Sequence, residues 1–455
     1  MRQSNPLPNT TPVGKEGAVE NGQDVSQYEQ VITRLLAEAE RPYPAGEART
    51  PLVIEAKSSS DLTFLKAFLA AHSDRIRKDI YSHGAVLLRG FKVASSRDFE
   101  DVLSAVPGFR PMKGYFMAEL GRDPVKGTGY VFDTNTFFIS GGDFRFGGIH
   151  CENYYSTDVP QFQCFCCLKR PWIGGETALF HMANAYGALR ERLSTKLESE
   201  SFVANVIPLQ SVAEQYDLPE AEVEAFLKEN GVEVIEGNGS KAMLNRKPSI
   251  LCHPHTGRPS LQVNLSRELK HLESDRHFLP GYSGTKWALH RLAWKRPRVL
   301  QALTYIAHLS RAMRHPSLFW QFVLAPLGRR LVAPARKRVP SKLPPKPVSA
   351  PAGPRIGHRL DVADQKLIGR TVWEHSSVFT WQPGDLLIVD NLQMHHAGMP
   401  GFGPRDIKVV LSNPISVAPR GSAGVRQLSV DEAFSSLHDR LSKFARRSTS
   451  QSATA

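Results

Sequence analysis

The run Gly84-Ala-Val-Leu-Leu-Arg-Gly-Phe91 places four apolar residues between glycines. That pattern reads as a buried strand. A second apolar run, Leu386-Leu-Ile-Val389, follows the turn signal Pro383-Gly384 and ends at Asp390-Asn391. Helical periodicity lies around them. Leu62, Leu65, Leu69, Ile76 and Ile80 recur at helical spacing over 61–80, with Asp61 or Ser60 as the N-cap. Residues 24–40, 97–105, 182–198, 218–230, 284–314 and 430–446 also read as helices. Residues 129–168, 248–265 and 371–416 read as short strands, with His255-Thr-Gly-Arg258 marking a turn. Short strands framing helical insertions predict a β-rich α+β core with helices packed outside it.

Charge is placed unevenly, and this changes what it means. The formal net charge is +13 over 455 residues. Residues 311–360 hold eleven Lys and Arg and no Asp or Glu, which leaves about +2 for everything else. The same segment holds nine prolines, which exclude a continuous helix or a central strand. Its plainest reading is a disordered surface insertion. A second is a docking arm for an acidic partner, such as a carrier protein presenting a tethered substrate. A third is association with an anionic membrane surface, because Ser317-Leu-Phe-Trp-Gln-Phe-Val-Leu324 is apolar and lies beside cations. Nucleic acid ranks below these, since Phe319, Trp320 and Phe322 are the only aromatics interleaved there.

Hydrophobic residues at 41% and charged residues at 22% suit a folded core and exclude wholesale disorder. No apolar run approaches a transmembrane length of about 20 residues, and the N-terminus lacks the apolar stretch of a secretory signal. Five cysteines make no disulfide framework. The expectation is a soluble cytoplasmic protein with an N-terminal tail (1–22), one domain (23–446) carrying the basic Pro-rich insertion (311–360), and a C-terminal tail (447–455).

The stretch Gly147-Gly-Ile-His150-Cys-Glu152-Asn-Tyr-Tyr155 carries the chemistry. On a strand, side chains at i and i+2 share a face, so His150 and Glu152 can converge on one point. Alone, H-x-E arises often by chance. Downstream, the strand ending at Asp390-Asn391 is followed by His395-His396, and Arg405 comes nine residues later. A second imidazole beside a His–carboxylate pair completes the two-His, one-carboxylate facial triad, which leaves positions open on an iron ion. An Arg nearby can pair bidentately with an acid held on that metal. Cys164, Cys166 and Cys167 read as strand packing, because a zinc site needs a second such cluster. Asp385 and Asp390 read as turn-fixing residues.

At these residues the chain resembles the taurine dioxygenase-like, iron(II)- and 2-oxoglutarate-dependent oxygenases. Gly84–Phe91 is similar to that family's G-x-x-x-L-R-G-F strand, Gly174-Gly-Glu-Thr177 to its G-G-E-T turn, and His253-Pro-His-Thr-Gly-Arg258 to its H-P-x-T-G-x element. Tyr155, Pro160 and Cys167 fall at family spacings. Asp390 to Arg405 resembles D-N-x-x-x-x-H followed by P-x-x-x-P-R. The resemblance runs over about 84–265 and 371–416. It implies a double-stranded β-helix (jelly roll), Fe(II) on His150, Glu152 and His396, and the far carboxylate of 2-oxoglutarate on Thr177 and Arg405. The D-N spacing selects His396 over His395, which faces the other side of a strand. The implied reaction uses O2 to hydroxylate an unactivated C–H and releases succinate and CO2. Desaturation or rearrangement by the same site, and a catalytically silent jelly-roll binding module, stand as alternatives; the intact residue set argues against the last.

Three features depart from the taurine branch. Glu152 stands where taurine-type members carry Asp. Val409 stands where they carry a second Arg for the substrate anion, which makes a sulfonate substrate a poor match. The 311–360 insertion has no counterpart there. Family members that act on amino-acid or peptide intermediates also carry Glu at the first of these positions, so the resemblance implies a small-molecule substrate that is an amino-acid-derived or peptide intermediate of specialised metabolism.

Overall fold

In the computed structural model, residues 28–42, 50–112, 125–134, 149–154, 158–198, 202–237, 239–262, 360–399, 401–402, 405–417, 425–427 and 436–452 are described. The readings of 1–22 as a tail, 284–314 as a helix and 311–359 as an insertion lie outside them, as does Tyr155.

The chain forms a mixed α/β fold around two facing sheets. Seven strands make the larger one, in the order β1 (Val31–Arg34), β2 (Leu52–Ala56), β3 (Ala85–Arg89), β14 (Leu386–Asp390), β5 (Asp158–Lys169), β17 (Asp406–Ser416) and β4 (Phe132–Asp133). Both apolar runs singled out in the sequence sit at its centre. β3 and β14 pair antiparallel, and every residue in both is buried. The smaller sheet has the order β13 (Ser376–Phe379), β7 (Thr177–His181) and β15 (Met394–Gly398).

Alternation along the strands divides the core into layers. Val86, Leu88, Leu386, Ile388, Cys164 and Cys166 meet helices α1 (Leu62–Ala71), α2 (Ser73–His83) and α3 (Ser96–Ser104) on the outer face of the large sheet. Leu87, Leu387, Val389, Phe165 and Val409 point the other way, onto Leu179, Phe379 and Met394 of the small sheet. The far face of the small sheet, through Ala178, Phe180, Val378 and Ala397, packs on α4 (Met182–Glu198) and a later helix spanning Val362–Glu374.

A third unit lies at the side. Strands β8 (Phe202–Pro208), β10 (Ser240–Lys247) and β9 (Glu233–Gly237) form a sheet against α5 (Leu209–Tyr216), α6 (Glu220–Glu229) and the C-terminal helix Leu437–Ser452. In chain order the last two helices are α7 (Val362–Glu374) and α8 (Leu437–Ser452). Three shorter pairings complete the fold. β6 (Ile173–Gly174) joins β16 (Gly401–Phe402), and β11 (Ile250–Cys252) joins both β12 (Pro259–Leu261) and β18 (Val425–Gln427). Among the described residues no helix is long and apolar enough to cross a membrane.

Several expectations need correction. Residues 24–40 read as a helix, yet Val31–Arg34 is an edge strand and Glu38–Glu40 a single 3-10 turn. Val31, Ile32 and Thr33 are β-branched, and Val31 and Thr33 are buried while Ile32 faces out. The helix over 61–80 is two helices that meet at His72; Asp61 caps the first by accepting from Phe64 N at 2.8 Å. Residues 371–374 belong to α7, not to a strand. Its start is fixed by a capping box between Asp361 and Asp364. The terminal helix continues through Ser452, so most of the expected 447–455 tail is helical. The Pro383-Gly384 turn holds for a steric reason: Gly384 has φ +88°, and a Cβ there would lie 2.6 Å from the carbonyl oxygen of Phe91.

Candidate metal centre

β15 runs antiparallel to β7, with His396 opposite Leu179 and His395 opposite Phe180. The strand period therefore sends the two neighbouring imidazoles to opposite faces. His396 enters the space between the sheets, where the edge of its ring meets Phe165 at a centroid distance of 5.4 Å. His395 faces the helices. It is wholly buried, neither of its ring nitrogens has a hydrogen-bond partner among the described residues, and burial pushes its pKa down to about 3, with a smaller push from His150.

His150 joins His396 through a two-bond bridge rather than a regular strand. His150 N donates to His396 O at 3.1 Å, and His396 N donates to His150 O at 2.8 Å. The two rings stand 4.3 Å apart. Extension ends at Asn153, which adopts φ +56°, so the H-x-E segment is an isolated bridge leading into a turn. Glu152 is held there by residues from elsewhere in the chain. Its N–H donates to Asn391 Oδ1 at 2.9 Å, while Asn391 Nδ2 donates to Glu152 O at 3.1 Å and to Pro160 O at 2.9 Å. Gln163 Nε2 donates to Glu152 Oε2 at 3.0 Å. The D-N pair upstream of His396 thus has a structural use: Asn391 pins Glu152 while the following strand delivers His396.

The outcome is one ligand atom each from His150, Glu152 and His396, all within 4.8 Å of one another. Among the described residues no other group of His, Cys, Asp or Glu gathers in this way. Two imidazoles and one carboxylate suit a borderline divalent ion such as Fe(II). Glu152 and His396 are buried and His150 is half-buried.

Thr177 opens β7 and pairs with Gly398, two residues along from His396. Its hydroxyl oxygen accepts from Trp381 Nε1 at 2.9 Å, which leaves the hydroxyl proton to be donated elsewhere. Arg405 reaches the G-G-E-T turn, where its Nε lies 3.4 Å from Gly175 O. The Gly401–Gly174 pairing brings these two motifs together. A Cβ on Gly401 would lie 2.5 Å from Gly175 N, so this approach requires glycine.

The cysteines are packing residues. Cys164, Cys166 and Cys167 are buried on β5, and burial raises the thiol of Cys167 to about 12. Asp385 takes N–H from Gln382, and Asp390 takes N–H from Leu392, as turn-fixing residues do. The sequence reading missed Gln163. Its signal was present: Gln161 and Gln163 are polar residues in an otherwise apolar strand, and both are buried.

The sequence model of the taurine catabolism dioxygenase TauD, TfdA family matches residues 45–279, just over half of the chain. The chain belongs to that family. It is an iron(II)- and 2-oxoglutarate-dependent dioxygenase. No curated protein matches it. Among solved structures, PvcB from Pseudomonas aeruginosa aligns at 14% identity over 86% of this chain and 95% of that one, with a TM-score of 0.43. A taurine dioxygenase from Burkholderia xenovorans aligns at 13% identity over 89% and 98%, with a TM-score of 0.40. AAD-2, in complex with Mn(II) and N-oxalylglycine, aligns at 12% identity over 84% and 97%, with a TM-score of 0.37.

Proposed function

We propose that this TauD-family dioxygenase hydroxylates an unactivated C–H of a small molecule, an amino-acid-derived or peptide intermediate of specialised metabolism, with His150, Glu152 and His396 as the iron ligands. The observation that carries the reading is the convergence of these three side chains within 4.8 Å. Bound there, iron(II) supplies the activation of O2 for which no side chain is equipped. The chain supplies orientation and exclusion of water. We read the two facing sheets as a jelly-roll core and residues 311–360 as an insertion in it.

The wall of the site supports a substrate without a sulfonate. Val409 is buried between the sheets in the apolar cluster that holds Phe132 and Phe165. Lys408, its neighbour, is committed to Asp133 at 2.5 Å and Asp406 at 2.8 Å. A strong anion would meet no cation from this strand. The test is a screen of the iron-loaded protein against amino-acid-derived and peptide substrates, reading succinate together with a product heavier by one oxygen. Succinate without any oxygenated product across the screen would count against this substrate class.

On this reading Arg405 pairs with the far carboxylate of 2-oxoglutarate and Thr177 donates its hydroxyl proton to it. Removing one partner of such a pair costs about 2–5 kcal/mol, because the other charge is left buried and unpaired. Arg405→Ala should therefore raise the 2-oxoglutarate requirement by at least about tenfold while leaving Mn(II) binding to the apo protein intact. An unchanged requirement removes Arg405 from the site.

The eleven cations of residues 311–360 are proposed to dock the enzyme on an anionic surface, either a carrier protein or a membrane, that presents the substrate. Salt screens such attraction over about 10 Å at 0.1 M. Deleting residues 325–356 should leave 2-oxoglutarate turnover without substrate unchanged. Turnover of a carrier-bound or membrane-located substrate should fall, and in the intact enzyme it should be salt-sensitive. Loss of metal binding on deletion would mean that the segment belongs to the core.

A further inference from the structure

The hairpin formed by β11 and β12 meets the turn that feeds the metal centre at both of its ends, a role that the site's chemistry does not assign to it. At one end lies His253, wholly buried. Its Nδ1 accepts the backbone N–H of His255 at 3.2 Å and of Thr256 at 3.1 Å. With Nδ1 an acceptor, the proton of the neutral ring is on Nε2. That nitrogen lies 3.0 Å from Asp390 Oδ2, within ion-pair distance though off the line of a hydrogen bond, and Asp390 is wholly buried too.

Asp390 shapes the turn that feeds the triad. Its Oδ1 accepts Leu392 N at 3.1 Å, and its Oδ2 accepts Gln393 Nε2 at 2.8 Å. The next residue, Asn391, clamps Glu152 from both sides of its peptide unit. Five residues after Asn391 comes His396. The position of this turn therefore sets how Glu152 stands against His396.

At the other end lies Gln262, also buried. Its Nε2 donates to Leu392 O at 2.5 Å, inside the same turn, and its Oε1 lies 3.8 Å from the Sγ of Cys151, the residue between His150 and Glu152. Two side chains of one hairpin thus hold one turn from opposite sides, and one of them also touches the H-x-E segment.

We propose that His253 and Gln262 are positioning residues for the metal triad, fixing the Asp390–Asn391 turn so that Glu152 and His396 meet one ion. This rests on the reading that His150, Glu152 and His396 bind iron. Partners beyond the ligands commonly change metal affinity by 10–100-fold. His253 acts through two intermediaries, so the low end applies.

The experiment compares two substitutions in the full chain by Mn(II) titration, read as loss of the free-ion EPR signal, in the presence of 2-oxoglutarate. His253→Asn keeps an acceptor for the two N–H groups and removes the donor that faces Asp390. His253→Gln keeps a donor nitrogen facing Asp390. His253→Asn should weaken Mn(II) binding about tenfold, and His253→Gln should stay within about threefold of wild type. Wild-type binding by His253→Asn, or equal weakening in both variants, overturns the proposal. If His253→Asn does not fold, Gln262→Met removes the N–H to Leu392 O from the other end and should show the same weakening; unchanged affinity there overturns the proposal as well. A wild-type chain that takes up no Mn(II) overturns the iron-site reading itself, a result distinct from either variant's outcome.

Discussion

His396→Ala should abolish metal uptake, while His395→Leu should leave it intact. The two residues are adjacent, so the contrast tests strand register directly. His396 faces the space between the sheets with its ring 4.3 Å from that of His150. His395 faces the helical layer as an uncharged imidazole, its pKa held near 3 by burial. On the proposed reading His396 is one of three protein ligands, and losing a ligand removes more than losing a supporting partner, which alone is worth 10–100-fold. His396→Ala should thus lose at least about 100-fold in Mn(II) affinity. Leu at position 395 replaces a polar ring, which has no described hydrogen bond, with an apolar side chain among Phe180, Ala397 and their neighbours. Stability should hold or rise, because an uncompensated buried polar group is removed. Equilibrium titration with Mn(II) reads both variants. Retention of binding by His396→Ala with loss in His395→Leu would place the strand one residue out of register.

The parts of this chain that were legible in the sequence are those whose cause is local or motif-like. Four apolar residues between glycines became β3, and helices at 97–105, 182–198 and 218–230 appear within a residue or two. Asp61 caps where a side-chain acceptor should. Elements decided by distant partners were not legible. Residues 24–40 carry helix-forming Glu, Gln, Leu and Ala, but the pairing of Val31–Arg34 with β2 overrides that preference. At the break at His72 sits Tyr28. Its ring lies 5.3 Å from Phe68 and 5.2 Å from His72, and its hydroxyl donates to Asp79 at 2.7 Å, so one aromatic residue serves both helices at their junction. Strands β8, β9 and β10 pair chiefly with one another and gave too weak an alternation to announce themselves.

The candidate site divides along the same line. Spacing made His150, Glu152 and His396 visible, because a two-residue offset and a D-N-to-His interval are sequence properties. What orients them was hidden. Asn391 and Glu152 are 239 positions apart, and Gln163 reaches Glu152 across a turn. No local rule connects those residues, although a buried polar side chain in an apolar strand is a reason to look for its partner.

Arg89→Met should destabilise the fold by about 3–5 kcal/mol, the cost of stranding one half of a buried ion pair. Arg89 is the Arg of the L-R-G-F motif, and it is buried at the end of β3. Its Nε donates to Asp385 Oδ1 at 3.0 Å and its Nη2 to Asp385 Oδ2 at 2.7 Å, a bidentate fork. Nη2 also donates to Thr380 O at 2.9 Å, and Nη1 meets Glu40 at 2.5 Å. One guanidinium therefore ties the central strand to the turn before β14 and to the 3-10 turn after β1. Methionine fills similar volume but, among the described residues, leaves the buried Asp385 carboxylate only the N–H of Gln382. Lysine should fare little better, because an ammonium cannot reproduce the fork. Guanidinium unfolding would read the loss as a lower midpoint at unchanged slope. Asp385→Asn in the Arg89→Met background should recover part of it, since the stranded group is then neutral. A single variant that unfolds within about 1 kcal/mol of wild type would mean that water reaches Asp385 and that the pair contributes no more than an exposed one.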